Sequence, residues 1–302
     1  MGREKIQCIP VCRGDYLAAF GTALPESIVT FMAVAFNTSA EQKDIGVGAA
    51  MGGPLVLGTI SYAVVGLYII YFRKKREIGI EIDIDSQKLS RDQLWFISIF
   101  ILKVLLGLVI FSFKPLTGFL FLAAYGLYFY KEMRNECTIS EGTLDLLTFQ
   151  SHQTEPKTRW VLSQTLVSLT LIFISSHVFV KNLELLSGFW DVSPHIVALL
   201  LSPIATELPE ILNAVIWVRQ GKENLALGNI SGAMMIQATV PSAFGLFFTP
   251  WLFDSYLLWS GAITLLSVIY LWVTLKRDKL SPIILVGVGL FYLLFAMKFL
   301  IN

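Results

Sequence analysis

Apolar stretches of membrane-spanning length follow one another along almost the whole chain, and they restrict it to an all-α polytopic membrane protein. A helix needs about 20 mostly apolar residues to cross the hydrocarbon core of a bilayer. Hydrophobic residues make up 55% of the 302-residue chain and charged residues only 15%, so few positions interrupt these stretches. The pattern predicts nine transmembrane helices, over residues 16–37, 46–72, 94–113, 116–131, 159–180, 194–218, 225–248, 251–275 and 281–300.

The basic residues lie mostly on one side of these predicted helices. Of the 23 lysines and arginines, 18 fall on the side that carries the N-terminus and the longer loops, and four fall on the other. Basic loops stay in the cytoplasm, so the long loops are expected there, the C-terminus outside, and the protein in the cell membrane. The lipid bilayer is the expected partner; a net charge of +1 gives no sign of nucleic acid binding, and no protein partner is evident.

A short motif occurs twice inside these apolar spans. Residues 21–26 read Gly-Thr-Ala-Leu-Pro-Glu, and residues 205–210 read Ala-Thr-Glu-Leu-Pro-Glu. A carboxylate at this depth costs about 2.5–3.5 kcal/mol on insertion scales, and it ordinarily faces a cavity, a partner or an ion. Its duplication in the two halves indicates a cation site at the membrane midplane. The alternative is an ordinary proline kink in each copy, with each glutamate hydrogen-bonded to a neighbouring helix.

The motif supplies oxygen ligands of the kind that bind hard cations. In a helix, the threonine and the glutamate share one face because they are four residues apart. The proline has no N–H, so the carbonyl four residues before it loses its helical partner. Hydroxyl, carbonyl and carboxylate oxygens suit Na⁺ or Ca²⁺. The predicted ligands are Thr22, Glu26 and the Gly21 carbonyl in the first copy, and Thr206, Glu210 and the Ala205 carbonyl in the second.

Two further charged residues lie inside spans. Glu207, three residues before Glu210, is close to the same helix face. It is interpreted either as an additional ligand, as a carboxyl that shares a proton with Glu210, or as a cap at the helix bend. Lys103 either neutralises a carboxylate, takes the place of an absent cation, or extends its stem to the interface.

Glycines four residues apart follow each motif at the start of a span. Gly48 and Gly52 occupy the first copy, and Gly228 and Gly232 the second. Small residues at this spacing predict close helix packing, here against the helix that carries the glutamate. In the second copy, polar side chains of the same span are also candidate ligands, namely Asn229 and Gln237.

These repeated elements divide the chain into two related parts with four and five predicted helices. The helix at 159–180 has no counterpart before the first motif, so we expect that the first helix of a five-plus-five plan is missing, through truncation, a wrong start site or true loss. Five helices per repeat would place the two repeats in opposite orientations, as in many secondary transporters. The expected division is a cytoplasmic N-terminal segment at 1–15, a first repeat at 16–131, a cytoplasmic linker at 132–158 and a second repeat at 159–302.

In both motifs and their order the chain resembles the sodium/calcium exchanger membrane region of the cation/calcium exchanger superfamily, as a divergent bacterial-type member. Repeats of that family carry a Gly-Thr-Ser-Leu-Pro-Glu-like segment followed by a Gly-Asn-x-x-Gly-Ser-Asn-like segment. Here the serines of the second segment are replaced by Gly53 and Ala233, and a ligand expected one turn later is Leu57 in the first copy and Gln237 in the second. By position, the residues that match ion-coordinating sites of the family are Thr22, Glu26, Thr206 and Glu210.

The resemblance implies a secondary antiporter with an inverted-repeat fold. It would exchange Ca²⁺ or a similar cation against Na⁺ or H⁺ by alternating access, and these inorganic cations would be its substrates, with no cofactor. The replaced ligands favour an alternative, a non-transporting sensor or interaction protein that retains the exchanger fold. An enzyme is not expected, since the sequence has neither a nucleophile–base pair nor a cluster of metal-binding histidines.

Overall fold

The computed structural model of the chain describes residues 24–36, 39–74, 76, 79–134 and 158–301. Within these ranges the regular structure is entirely helical. A π-helical turn at Leu57–Ser61 joins the second helix to the third, and a 3-10 turn at Lys114–Leu116 precedes the fifth. The helices are α1 (Leu24–Ala35), α2 (Ala40–Val56), α3 (Tyr62–Phe72), α4 (Ser86–Leu108), α5 (Thr117–Arg134), α6 (Thr158–Trp190), α7 (Pro194–Thr206), α8 (Leu208–Arg219), α9 (Glu223–Phe248), α10 (Ser255–Lys276) and α11 (Pro282–Ile301).

Each predicted span overlaps one of these helices or a consecutive pair, and α4 lies earlier than predicted, over Ser86–Leu108 rather than 94–113. Residues 16–23 and 37 of the first span lie outside the described residues. The helix over 159–180 runs further, to Trp190, and the last helix but one begins at Ser255 rather than at 251. That later start has a local cause, because the Asp254 side chain caps the helix by accepting from the N–H groups of Tyr256 and Leu257. The segments of the described chain that combine enough length and apolarity to cross a membrane are Ala40–Phe72, Leu162–Trp190, Pro194–Arg219, Glu223–Phe248 and Ser255–Lys276. The total of nine spans stays a prediction.

The span that carries the second motif is divided into two helices. The helical hydrogen bonds of α7 end at Glu207, whose N–H donates to the Pro203 carbonyl, and α8 begins at Leu208. Pro209 stands in the first turn of α8, where its missing N–H leaves no unmet donor. In an uninterrupted helix that N–H would bond the Ala205 carbonyl, and the proline ring would clash with it. The sequence therefore places the helix break inside the motif itself.

The glycines of α2 allow this helix to lie directly against α7. A Cβ atom on Gly48 would overlap the backbone carbonyl of His195, and one on Gly52 would lie 2.6 Å from the carbonyl oxygen of Leu199. The predicted close packing is thus present in the first copy, and its partner is the helix that leads to Glu207. In the second copy, by contrast, no atom of the described residues lies within 4 Å of a Cβ built on Gly228.

Helix α9 occupies the centre of the bundle. It contacts α2, α4, α5 and α8, and the ring of Phe244 lies 4.9 Å from that of Phe31 on α1. Its N-terminus is fixed by a buried ion pair, in which Arg76 contacts Glu223 at 2.5 Å while also donating to the carbonyls of Gly79 and Glu81. Removal of one partner would leave an uncompensated buried charge. This pair therefore holds the chain after α3 against the start of α9.

We expect Gly48→Ala to lower the unfolding temperature of the detergent-solubilised protein. The new methyl group would force α2 away from a rigid backbone carbonyl, and such overpacking destabilises by about 1–3 kcal/mol. Gly287→Ala in α11 is the matched control, because no described atom lies within 4 Å of a Cβ there. Equal unfolding temperatures for the two variants would contradict the packing of α2 on α7.

Candidate cation site

The break between α7 and α8 brings the glutamates of both motif copies into one buried region. Glu26 comes from α1, Glu207 lies at the break, and Glu210 is in the first turn of α8. Each of these side chains is at most 1% exposed. The Thr206 hydroxyl of the second copy lies within hydrogen-bonding distance of both Glu26 and Glu207. The duplicated residues of the sequence are therefore neighbours in space.

Thr206 connects the two copies of the motif. Its Oγ1 lies 2.5 Å from Oε2 of Glu26 and 3.2 Å from Oε1 of Glu207, and it is also 3.0 Å from the backbone carbonyl of Ser202. A hydroxyl has one proton to donate and can accept through its lone pairs. It can satisfy only one of these three acceptors at a time, so the carboxylate oxygens around it compete for a single proton. Such a cluster offers several acceptors to a positive ion.

Gln237 extends the same cluster from α9. Its Nε2 donates to Oε1 of Glu207 at 2.6 Å, and the residue is fully buried. Space for this side chain comes from Gly53 on α2, where an added Cβ would lie 2.5 Å from Oε1 of Gln237 and 3.1 Å from Oε1 of Glu207. Gly53 stands where the resemblance calls for a serine. The Gln237 side chain of the second repeat therefore occupies the space left by the absent side chain at Gly53 of the first repeat.

Several buried oxygen atoms of this region have no hydrogen-bond donor among the described residues. They include Oε1 of Glu26, Oε2 of Glu207 and Oε1 of Gln237. Buried polar atoms are nearly always satisfied in proteins, and an unsatisfied oxygen beside other oxygens is what a hard cation requires. No ready-made group of three metal-binding histidine, cysteine, aspartate or glutamate side chains exists in the described part of the chain. Two of the carboxylates, those of Glu26 and Glu207, are instead linked through Thr206.

The remaining predicted ligands have different positions. Asn229 is fully buried on α9, and its amide forms no hydrogen bond with the residues that the structure describes. Ala205 lies at the end of α7, where Pro209 cannot donate to its carbonyl. Gly21 and Thr22 lie outside the described residues.

Lys103 is a buried cation near this cluster that the motifs do not include. Its side chain is fully buried, so the interpretation that it extends to the interface is wrong. The ammonium donates to the Ala50 carbonyl at 2.7 Å and lies 5.2 Å and 5.9 Å from the ring centres of Phe100 and Trp251. It also interacts electrostatically with Glu26. A charge inside a span was the available signal, but the sequence could not tell which helix it faces.

Ser202 and Gly53 are site residues that the sequence did not identify as such. Ser202 lies one turn before Thr206, and its buried carbonyl accepts from the Thr206 hydroxyl. Its spacing of four from Thr206 was visible, but a serine on an apolar helix carries no distinctive signal. Gly53 contributes by having no side chain, which becomes meaningful only when the position of Gln237 is known.

Comparison with known proteins gives a family-level match over nearly the whole chain. The family described as sodium/calcium exchanger protein matches residues 14–131 and 160–298. The inner membrane protein YrbG of Escherichia coli K12 is 25% identical over 278 residues, which are 89% of this chain and 79% of YrbG. A protein of Alkalimonas amylolytica named as a candidate antiporter, CaxA, is 25% identical over an alignment 308 residues long, which covers 95% of this chain and 88% of CaxA.

Solved structures show the same fold at lower sequence identity. The H⁺/Ca²⁺ exchanger CAX matches with a TM-score of 0.74 at 18% identity, over 95% of this chain and 74% of that one. The sodium-calcium exchanger NCX_Mj matches with a TM-score of 0.65 at 19% identity, over 97% and 88% respectively. The predicted all-α, inverted-repeat transporter fold is confirmed.

We expect Gly53→Ala to displace the Gln237 amide and disturb the cluster. The displaced amide would no longer donate to Glu207, a loss of about 1.5–3 kcal/mol for a hydrogen bond to a charged group. The unfolding temperature, measured with and without added Ca²⁺, should therefore fall and its response to Ca²⁺ should weaken. In the double variant Gly53→Ala/Gln237→Ala the overlap is relieved, so stability should partly recover; an equally low unfolding temperature would contradict the contact.

Proposed function

This chain belongs to the sodium/calcium exchanger family, whose members are secondary transporters and not enzymes, and we propose that it exchanges a Ca²⁺-type cation against Na⁺ or H⁺. The expected resemblance and the expectation of a membrane transporter are confirmed. The chain is an integral membrane protein. We further propose an inner-membrane location, like that of the inner membrane protein YrbG, with the long loops in the cytoplasm and the C-terminus outside.

The observation that carries this proposal is the contact between the two motif copies. Thr206 and Glu26 come from motifs about 180 residues apart in sequence, and their side chains meet at 2.5 Å in a fully enclosed region. Proline kinks with glutamates bonded to unrelated helices would not bring the duplicated residues to one another. The buried Glu207 and Glu210 lie in the same electrostatic cluster. A shared site between repeats is the arrangement of many secondary transporters.

The chemistry of the cluster favours a hard cation. The cluster consists of carboxylate, hydroxyl and amide oxygens, and no cysteine or histidine of the described residues belongs to it. Ca²⁺ accepts six to eight such oxygens in flexible geometry. We propose Glu26, Glu210 and Thr206 as principal ligands, Glu207, Gln237 and the Ala205 carbonyl as additional ones, and Asn229, Gly21 and Thr22 as contributors when the helices rearrange.

The broken helix provides a means of alternating access. α7 and α8 meet at Glu207 without a continuous ladder of hydrogen bonds, and Pro54 in α2 is followed by the π-helical turn at Leu57–Ser61. Such interruptions are places where helices bend. We propose that a bound ion neutralises the carboxylates and lets the halves on either side of these interruptions move, whereas the empty, charged site crosses poorly.

A second candidate function, a non-transporting sensor, is favoured by the glycine at position 53. It removes a hydroxyl ligand from the first repeat, and Gln237 fills the space with an amide that is already bonded to Glu207. A site occupied in this way would bind a cation weakly. Cation binding without counter-ion-driven flux would support this candidate over the antiporter.

We expect Glu26→Gln and Glu210→Gln to abolish ⁴⁵Ca²⁺ uptake into proteoliposomes driven by an outward Na⁺ gradient or a proton gradient. Either change removes one of the duplicated carboxylates and with it a charged ligand. The exposed loop residue Glu81 provides the control Glu81→Gln, which should transport normally. Undiminished uptake in both site variants would overturn the proposed site.

We also expect Thr206→Val to lower uptake by about tenfold or more. The reason is that the variant loses a hydrogen bond to a charged group, which contributes about 1.5–3 kcal/mol. Thr206→Ser keeps the hydroxyl and should retain most activity. Thr239→Val is the matched control, because among the described residues the buried Thr239 hydroxyl bonds only to backbone carbonyls of its own helix. Similar uptake by Thr206→Val and Thr239→Val would contradict a role for the bridging hydroxyl.

A further inference from the structure

A cavity of about 490 Å³ lies between the first turns of α4 and the last turns of α10. Further along, the same two helices are in direct contact, since a Cβ atom on Gly261 would lie 3.0 Å from Cγ2 of Val104. The cavity therefore lies at one end of the α4–α10 contact, the end that the proposed topology places on the cytoplasmic side. Its lining combines hydroxyl, cationic and aromatic side chains, among them Ser86, Ser90, Arg91, Trp272 and Lys276.

Two polar groups in the wall of this cavity have no hydrogen-bond partner. Nε1 of Trp272 is shielded from solvent and finds no acceptor among the described residues. The Ser90 side chain is only 5% exposed, and its hydroxyl makes no hydrogen bond within the described part of the chain. Buried polar groups are nearly always satisfied in proteins, and an indole N–H can only donate. The group that Trp272 lacks is therefore an acceptor from outside the described chain.

A cation without a carboxylate partner faces the same space. Lys276 is the last residue of α10, and its ammonium lies 5.8 Å from the centre of the Trp272 ring. No carboxylate of the described residues lies within 4.0 Å of this ammonium. Arg91 is held by Glu132, to which it donates at 2.8 Å, but its buried Nε has no acceptor in the described ranges. Asp278 is the opposing charge in the lining. Unmet N–H donors beside a free ammonium favour an oxyanion as the ligand.

The apolar part of the lining favours a lipid over a free ion. Leu94 is 47% exposed although it begins a predicted span, and Leu275 and the Trp272 ring belong to the same wall. Tryptophan side chains concentrate at membrane–water interfaces. Arg277 and Lys279 follow α10 directly, and basic residues at the cytoplasmic end of a span attract anionic lipids. A ligand with a charged head and an apolar body fits this lining.

We propose that the cavity binds the phosphate of an anionic phospholipid from the cytoplasmic leaflet. The Trp272 N–H and the Ser90 hydroxyl donate to phosphate oxygens, the Lys276 ammonium neutralises their charge, and the acyl chains lie beside Leu94. The bound lipid holds the start of α4 against the end of α10. The site shares no residue with the glutamate cluster, so its occupancy does not depend on which cations the protein exchanges.

The test is a lipid titration of the full chain in detergent. Dioleoylphosphatidylglycerol is the probe, and dioleoylphosphatidylcholine and inorganic phosphate are the comparisons. The double variant Trp272→Phe/Lys276→Gln removes the N–H and the charge but keeps an aromatic ring. We expect the phosphatidylglycerol concentration that gives half of the rise in unfolding temperature to increase by at least about tenfold in this variant, because a hydrogen bond to a charged group and a cation are lost together. Native mass spectrometry should show the loss of a retained phosphatidylglycerol molecule.

A matched control comes from the opposite end of α10. Lys298 also stands over a tryptophan, 6.0 Å from the ring centre of Trp259, but Nε1 of Trp259 donates to the Phe295 carbonyl at 3.4 Å. The variant Trp259→Phe/Lys298→Gln therefore makes the same chemical change where the indole already has an acceptor. Its response to phosphatidylglycerol should equal that of the wild type. Equal weakening in the two double variants would overturn the assignment of the cavity.

The comparison probes separate the lipid from its headgroup chemistry. A wild type that responds equally to phosphatidylcholine and phosphatidylglycerol would refute an anionic site. A full response to inorganic phosphate, lost in Trp272→Phe/Lys276→Gln, would show a site for a free oxyanion and would refute the lipid. Ser90→Ala is the smaller change that keeps the test available if the double variant does not fold; it should weaken the phosphatidylglycerol response, and an unchanged response would contradict the proposed contact.

Discussion

The missing amide hydrogen of Pro209 is the constraint on which the arrangement of the site depends. Without it the Ala205 carbonyl loses its helical donor, which favours a break here, and α7 ends at Thr206 while α8 starts at Leu208. The break presents Thr206 and Glu207 at the end of one helix and Glu210 in the first turn of the next. Carboxylates near a helix N-terminus are favoured by the helix dipole, which partly offsets the cost of burying Glu210. A continuous helix would place Thr206 and Glu210 one turn apart on a single face and would leave no bend at Glu207.

The two repeats contribute in complementary ways around this break. α2 has glycine at positions 48, 52 and 53, which allows its backbone to approach α7, while Gln237 and Glu207 of the second repeat extend into the space beside Gly53. The first repeat therefore provides the close packing and the second provides most of the candidate ligands. In a symmetric site, each repeat would provide both. This division explains why the first repeat has few polar side chains although the site between the repeats is rich in oxygen atoms.

The parts of this structure that the sequence predicted are those governed by local chemistry. Helix positions follow from runs of apolar residues, and the helix break follows from Pro209, so both were accessible without a tertiary model. The later start of α10 depends on a cap by Asp254. The contact between the two motifs depends on which acceptor lies nearest the Thr206 hydroxyl. The burial of Lys103 and the fit of Gln237 beside Gly53 depend on distances between helices far apart in sequence. No periodicity of apolar residues encodes these distances.

A buried site of this charge also limits how the protein can move. In a region of low dielectric, uncompensated negative charges are expensive to carry across a membrane, and a bound cation removes most of that cost. In the proposed exchange, the buried carboxylates of the empty site therefore oppose the rearrangement of the helices, and a bound ion removes that opposition. Exchange rather than leak then follows from the same burial that brings Glu26, Glu207 and Glu210 into one region.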